Sequence, residues 1–415
     1  MGKRAERVDV ADFQQHESIA TLHRLADRSV ASLEDELFEY SRRRPIALII
    51  PALYSELQGP ALGNIVDEIA KVGYIDEIIV GIDRADEAQF ADARQFFSRL
   101  PQRTRLLWND GPRLRKIDEV LADRVLAPTE PGKGRNVWYC LGYFLASGRC
   151  ENVALHDADI LTYERGLLAR LLYPILHPTF GYSFSKGYYY RAGEGPSGRL
   201  NGRVVRLLVT PLLRALRATI GEHDYLRYLE SFRYPLAGEF AMKLDMTRSI
   251  RIPSDWGLEI GVLSEVYRIY QGRRICQVDL CGRYDHKHQE LSVEDANAGL
   301  HKMSRDIAKA IYRKLAIDGT TLGTEIFRTV KAVYYRNALD LVSHYRNDAT
   351  FNGFDFDLHA EETAVELFAS AIMEAGDEFL NDPMGTPFIP NWSRVQSAVP
   401  DILGQLYDAV ELDNA

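Results

Sequence analysis

The sequence predicts an α/β protein with a parallel sheet at its centre, and three observations carry that expectation. Short apolar runs alternate with helix-patterned stretches from Pro45 onward, at the spacing of strand–helix–strand units. From Leu291 the pattern changes to apolar residues recurring at one-turn helical spacing. The 415 residues, 46% hydrophobic and 26% charged, suffice for one large α/β domain with appendages or for two domains.

Taken in order, residues 1–44 read as an amphipathic helical extension. In "SLEDELFEYSRRR", Ser32 and Asp35 offer a capping box, and Leu33 and Leu37 share the face that would pack on the next domain. Residues 45–290 form the sheet-bearing unit. "PIALIIPAL" is its first strand, "LGNIVDEIAKVG" a helix and "IDEIIVGID" the next strand; "TRLLWND", the helical "KGRNVWYCLGYFLASGR" and the strand "NVALHDADI" continue the alternation. Residues 291–415 read as helical. Ser292 and Asp295 can cap "LSVEDANAGLHKMSRDIAKAIYRKL", where Met303, Ile307, Ile311 and Leu315 form one stripe. "FNGFDFDLHA" and "NDPMGTPFIPNW" punctuate this tail, and no internal repeat or low-complexity linker divides the chain.

Composition excludes several classes. A formal net charge of −9 argues against a general nucleic-acid binder, which needs a basic field to displace counterions, although a local basic pocket stays open. Cys140, Cys150, Cys276 and Cys281 form no CxxC pair, so neither a zinc ribbon nor a disulfide framework is expected. No apolar leader follows the charged N-terminus and no window approaches a membrane span, so a cytoplasmic protein is expected.

The chemistry centres on "HDAD". Asp157 and Asp159 fall just past the C-terminal end of a strand, where open α/β sheets place ligands, and two carboxylates one residue apart on extended chain can share a hard cation or divide between cation and sugar hydroxyl. Alone, such a pair is often a solvated turn. Four further segments add to it. "PALYSE" follows the first strand and brings Glu56 towards a base or ribose. In "EPGKGRNVW", Gly132 and Gly134 flank Lys133 ahead of a helix, a site for an anion that is too short for a P-loop. "SGRLNGRVVRLLVTPLL" sets Arg199, Arg203 and Arg206 before an apolar helix, with Arg203 beside Gly202 the strongest candidate for gripping a carboxylate or phosphate. "FRYPLAGEFAMKLDM" places Gly238 and Glu239 at a turn expected to precede a helix. Further on, His286 and His288 are candidates to complete a metal site begun by the aspartates.

The order of "PAL" with Glu56, "PGKG", "DAD", "SKGYYYR" followed by "GRVVRLLVTPLL", "PLAGEFA", "WGLEIGVL" and "QVDL" leading into a histidine spans about Pro45 to Ser292. It resembles the retaining GT-A glycosyltransferases of the glucosyl-3-phosphoglycerate synthase family, with the related glucosylglycerate and mannosyl-3-phosphoglycerate enzymes. The resemblance implies a GT-A fold, a Rossmann-like mixed sheet flanked by helices, with the helical tail as a candidate homodimer interface. It implies transfer of a hexose, glucose first, from a UDP-, GDP- or ADP-sugar to 3-phosphoglycerate or glycerate with Mg²⁺ or Mn²⁺, giving a glucosylglycerate-type compatible solute or its phosphate precursor.

By that resemblance Pro51, Ala52, Leu53 and Glu56 line the nucleoside pocket with Asp83 nearby, and Lys133 contacts the nucleotide. Asp157 and Asp159 hold ribose and metal, with Asp159 the direct ligand and His286 the second. Gly202, Arg203, Val204 and Val205 bind the acceptor; Leu236, Gly238 and Glu239 position the donor hexose, with Glu259 near its hydroxyls. Catalysis falls to Asp159, Lys133 and Glu239, the last for orientation, with the acceptor attacking on the face the leaving group departs from.

The chain departs from the family pattern at Tyr54 and Ser55, where "PALNEE" is expected, at Val205, where a threonine is usual, and in the spacing from Arg283 to His286, which makes His288 the fallback ligand. The phosphorylation state of the acceptor therefore stays open. A sugar nucleotidyltransferase would carry a Gly-rich loop where this chain has "PALYSELQG". A non-catalytic nucleotide-sugar-binding protein would lack metal-dependent turnover.

Overall fold

The computed structural model describes residues 15, 18–26, 28–128, 130–193, 198–270, 272–285, 299–383, 385 and 388–415. Among them eight strands form one sheet: β1 (Ala20–Leu22), β2 (Ile46–Leu53), β3 (Glu77–Asp83), β4 (Arg103–Trp108), β5 (Asn152–Leu155), β6 (Phe184–Arg191), β7 (Phe240–Lys243) and β8 (Ile275–Tyr284). Their order is β1-β8-β6-β7-β5-β2-β3-β4. β7 runs antiparallel to β5 and β6, and the other neighbouring pairs are parallel.

The sheet divides two apolar cores, and β2 shows why its sequence is apolar throughout. Ala47 and Ile49 face a core shared with the helix Lys133–Ser147 and the C-terminal helices, whereas Ile46, Leu48, Ile50 and Ala52 face one shared with the helices Pro60–Ile69 and Arg165–Leu176. A strand covered on both faces needs apolar residues at both phases of its period-2 repeat.

The N-terminal segment differs from the helical expectation. Ala20–Leu22 is a strand, paired in register with Cys276–Val278 of β8, and Gln277 Nε2 donates to the Thr21 hydroxyl at 2.9 Å. It covers a sheet edge that would otherwise leave backbone groups unpaired. The helix Val30–Ser41 is capped by Ser29, whose side chain accepts from Ser32 N at 3.2 Å; Ser32 lies inside the first turn and is not the cap. Leu33 and Leu37 are buried as the pattern predicts.

Gly238 and Glu239 also precede a strand and not a helix, because the four-residue run "FAMK" fills the slot between β5 and β6. Since β7 is reversed, its beginning lies at the edge where β2, β3, β5, β6 and β8 end. That edge carries the site.

The helices Gly299–Ile317, Thr324–Asn352 and Leu358–Asn381 pack on one another and on the segment 204–220. Ile307, Ile311 and Leu315 are buried and Met303 packs against the same core; Ser292 and Asp295 lie outside the described residues. The tail then returns to the sheet. Trp392 stacks on Trp138 with centroids 4.0 Å apart, Glu411 takes Arg103 and Arg105 of β4, and the Asn414 amide exchanges two hydrogen bonds with the Leu106 backbone at 3.0 and 2.8 Å. A side-chain amide here mimics a further strand and closes the β4 edge. The four cysteines are free thiols, and among the described residues no helix is long and apolar enough to cross a membrane.

Candidate active site

β5 ends at Leu155, and Ala158 and Asp159 form a turn, not the extended chain expected of the motif. Burial still alternates: His156, Ala158 and Ile160 are buried while Asp157 and Asp159 are half-buried, so both carboxylates face the sheet edge.

Lys133 opens the helix Lys133–Ser147, and its two glycines have a steric reason. A Cβ on Gly132 would lie 2.7 Å from Ser254 O, and one on Gly134 would lie 2.0 Å from Pro253 O. The backbone of 253–254 crosses directly over the helix start. That crossing brings in Glu259 from the first turn of the helix Leu258–Ile269, and Lys133 Nζ sits 2.9 Å from Glu259 Oε1 and 2.6 Å from Asp157 Oδ1. Burial works against the ammonium, but these two carboxylates outweigh it and hold its pKa above that of an ordinary lysine.

Gly238 presses against the same aspartate, since a Cβ there would meet Asp157 Oδ2 at 2.2 Å. Glu239 is fully buried, with one oxygen accepting from Tyr189 and the other from Tyr284, each at 2.8 Å. Burial, then the charge of Asp157, holds its carboxyl well above the usual carboxylate range against the pull of the two tyrosines. Asp159 is raised for the same first reason, with Asp157, Glu56 and Glu239 adding and Lys133 opposing. Leu53 pairs in register with Asp83, so Pro51–Leu53, Glu56 and Asp83 line adjacent strand ends; Asn109 Nδ2 donates to Asp83 at 2.7 Å. Leu236 is half-buried on the loop before Gly238.

The segment Gly202–Val205 lies beside this cluster through Tyr234. Gly202 has φ +76°, and a Cβ there would meet the Tyr234 hydroxyl at 3.0 Å, so glycine serves both the left-handed turn and the close approach. Arg203 Nε donates to Glu361 Oε1 at 2.6 Å, and Arg206 reaches the other oxygen of Glu361 at 2.9 Å. Val204 and Val205 are buried in a π-helical turn, Val204–Val209.

Sequence reasoning passed over Lys186, which joins the site, and His156, which lies buried behind it. Lys186 of β6 is fully buried and donates to Ala237 O at 2.6 Å; burial lowers its pKa to about 8, with Glu259 and Glu239 opposing. A lysine inside a strand pattern was the available signal. His156 is buried against the Tyr163 ring, centroids 5.4 Å apart, and burial lowers its pKa to about 3, so it is neutral.

Carboxylates of Asp157, Asp159, Glu56 and Glu239 thus converge where two lysines are the opposing charges. Among the described residues no three or more His, Cys, Asp or Glu side chains are grouped so as to hold a metal ion; Asp157 and Asp159 supply hard oxygen donors of the kind Mg²⁺ or Mn²⁺ takes. His286 and His288 lie outside the described residues. Just before them Asp285 is tied to the turn after Asp159, its carbonyl accepting from Leu161 N at 2.9 Å and its N–H donating to Thr162 Oγ1 at 3.0 Å.

No protein-family model matches the sequence. The chain is 43% identical over 406 residues to the glucosyl-3-phosphoglycerate synthase of Persephonella marina, covering 98% of this chain and 100% of that protein. The chain belongs to the glucosyl-3-phosphoglycerate synthase family. A second member, from Methanococcoides burtonii, is 39% identical over 405 residues, 97% of this chain and 98% of its own. The family's fold is seen in the glucosyl-3-phosphoglycerate synthase of Mycobacterium tuberculosis crystallised with Mn²⁺, UDP-glucose and phosphoglyceric acid: TM-score 0.53, 23% identity, 74% of this chain and 90% of that one. Mannosyl-3-phosphoglycerate synthase from Rubrobacter xylanophilus has the same fold, with TM-score 0.51, 22% identity, and 72% and 82% covered.

Proposed function

We propose that this chain transfers glucose, with retention, from a nucleotide sugar to 3-phosphoglycerate. The observation that carries the reading is full-length membership of the family together with the Lys133–Asp157–Glu259 cluster at the sheet edge. UDP-glucose, the donor in the M. tuberculosis complex, is the first donor to test.

The nucleoside would lie over Pro51–Leu53, Glu56 and Asp83, and the diphosphate over the start of the helix Lys133–Ser147, where unpaired N–H groups, the helix dipole and Lys133 all favour an anion. Asp159, with Asp157 beside it and His286 as the family's second ligand, would hold a divalent cation, which when bound supplies Lewis-acid stabilisation of the departing diphosphate. Glu239 is buried with both oxygens engaged by tyrosines, which supports orientation of the hexose by the Leu236–Glu239 loop and argues against a covalent nucleophile. The acceptor hydroxyl then attacks on the donor's leaving-group face, its proton passing to the leaving phosphate. Gly202–Val205 would hold the acceptor, with Nη groups of Arg203 available because Glu361 takes only Nε.

On this reading residues 45–290 are the catalytic unit, working in the cytoplasm. The described helices of 299–415 bury apolar faces within the chain, and light scattering tests the expected homodimer. Assay of UDP-, GDP- and ADP-glucose and of GDP-mannose with 3-phosphoglycerate and glycerate tests the function. Absence of divalent-cation-dependent transfer from every donor would leave a binding protein as the reading.

A further inference from the structure

β6 ends in Arg191, at the edge of the sheet that carries Asp157 and Gly238. Its Nε is sealed from solvent and has no hydrogen-bond partner among the described residues. Its Nη1 donates to the phenol oxygen of Tyr234 at 3.0 Å. The surroundings are aromatic: Tyr189 stacks on Tyr284 with centroids 3.6 Å apart and lies 5.1 Å from Tyr234. Among the described residues no carboxylate pairs with this guanidinium. Arg203 and Arg206 differ, because they share Glu361, and Arg206 also donates to the carbonyls of Asn201 and Leu200 at 3.0 Å each.

An arginine keeps its charge, and Arg191 is half-buried with its Nε sealed, where burial works against the cation and the phenols of Tyr234, Tyr189 and Tyr284 favour it and raise its pKa. A guanidinium held by phenols and paired with no carboxylate keeps donors for an incoming anion. Arg191 has the right neighbour for that. Its carbonyl accepts from Asn201 N at 2.9 Å, and a Cβ on Gly202 would lie 3.5 Å from Arg191 Cδ, so its side chain runs along the acceptor segment.

We propose that Arg191 is an anion anchor for the acceptor, taking one charged group of 3-phosphoglycerate while the Nη groups of Arg203 take the other. This rests on the proposed acceptor role of Gly202–Val205. It also assigns a preference: Arg203 and Arg206 share a single carboxylate and Arg191 has none, an arrangement suited to an acceptor carrying both a carboxylate and a phosphate. Glycerate, with one anionic group, fills half of it.

The test compares wild type, Arg191→Gln and Arg191→Lys with UDP-glucose, Mg²⁺ and either 3-phosphoglycerate or glycerate. Arg191→Gln should raise the 3-phosphoglycerate KM by roughly tenfold to a hundredfold, the loss of one charged hydrogen-bonded contact. It should narrow the preference over glycerate and leave the donor KM and UDP affinity unchanged, and lysine should recover part of the loss. Melting of the substrate-free variant should stay nearly level, since Arg191 is half-buried and its one side-chain hydrogen bond among the described residues is to Tyr234, while the upward shift that 3-phosphoglycerate gives wild type should disappear. An unchanged acceptor KM, or a donor KM that rises in its place, overturns the inference. If wild type transfers glucose to neither acceptor, the functional reading fails instead, and the melting shift with 3-phosphoglycerate, which needs no turnover, still decides for or against Arg191.

Discussion

Gly238→Ala should separate the cost of folding from the cost of catalysis. Gly238 does not have a left-handed backbone, so alanine adds a methyl group and no backbone strain. That carbon would lie 2.2 Å from Asp157 Oδ2, 2.5 Å from its Cγ and 2.6 Å from Oδ1. Comfortable non-bonded contact is about 3.5 Å, so the carboxylate must retreat by about 1 Å. The atoms that yield are the end of a side chain on a turn, so the stability loss should stay near the low end of overpacking, about 1 kcal/mol. The same retreat takes Oδ1 off Lys133 Nζ, now 2.6 Å away. A displacement of about 1 Å in a reacting geometry costs about a hundredfold in rate, or about 2.7 kcal/mol of barrier. Initial rates with UDP-glucose and 3-phosphoglycerate, beside urea unfolding, should show a nearly unmoved midpoint with kcat/KM down by that factor. A folded variant with wild-type kcat/KM would refute the argument, as would a large loss of stability, which would mean that the backbone gives way and not Asp157.

Gly134→Ala should behave in the opposite way: its Cβ meets Pro253 O at 2.0 Å and Ser254 Cα at 2.8 Å, both backbone, so unfolding should become easier by about 3 kcal/mol, and a wild-type urea midpoint would contradict the tight crossing. Chelation should abolish transfer and Mg²⁺ or Mn²⁺ should restore it, whereas Asp159→Ala should stay inactive at any cation concentration with an unreduced melting temperature, because it relieves a crowd of carboxylates. Donor affinity measured by calorimetry should fall as pH rises through about 8, where Lys186, facing Glu259, Glu239, Asp157 and Lys133, gives up its proton, and Lys186→Met should remove that titration. The sign for stability is the reverse: the folded value lies below the free lysine's 10.5, so between 8 and 10.5 the unfolded chain holds the extra proton and this lysine's burial penalty fades as pH rises. Glu361→Ala should destabilise by about 3 kcal/mol through leaving Arg203 and Arg206 without their shared carboxylate, read as a shifted urea midpoint at unchanged slope.

What the sequence determined by itself is whatever a short stretch of chain decides locally. The apolar run of β2, the glycines around Lys133 and the aspartates after β5 are local signals, because burial on both faces, a crossing at a helix start and a strand end each leave their mark within ten residues or so. The stripe of Ile307, Ile311 and Leu315 is equally local, and its burial follows from helical period. The tertiary structure decided every partner at long range. Nothing near Lys133 announces that Glu259, 126 residues on, completes its charge balance, nor does anything near Arg203 point to Glu361, 158 residues on. Ala20–Leu22 became a strand because β8 offered it an open edge, and "FAMK" became one, reversed, because the sheet had a gap between β5 and β6. Lys186 and Arg191 read in sequence as polar residues of a strand. That one is buried beneath the carboxylates and the other left with a phenol for company depends on which elements close over β6, and charge compensation is a property of that closed volume, which no window of sequence contains.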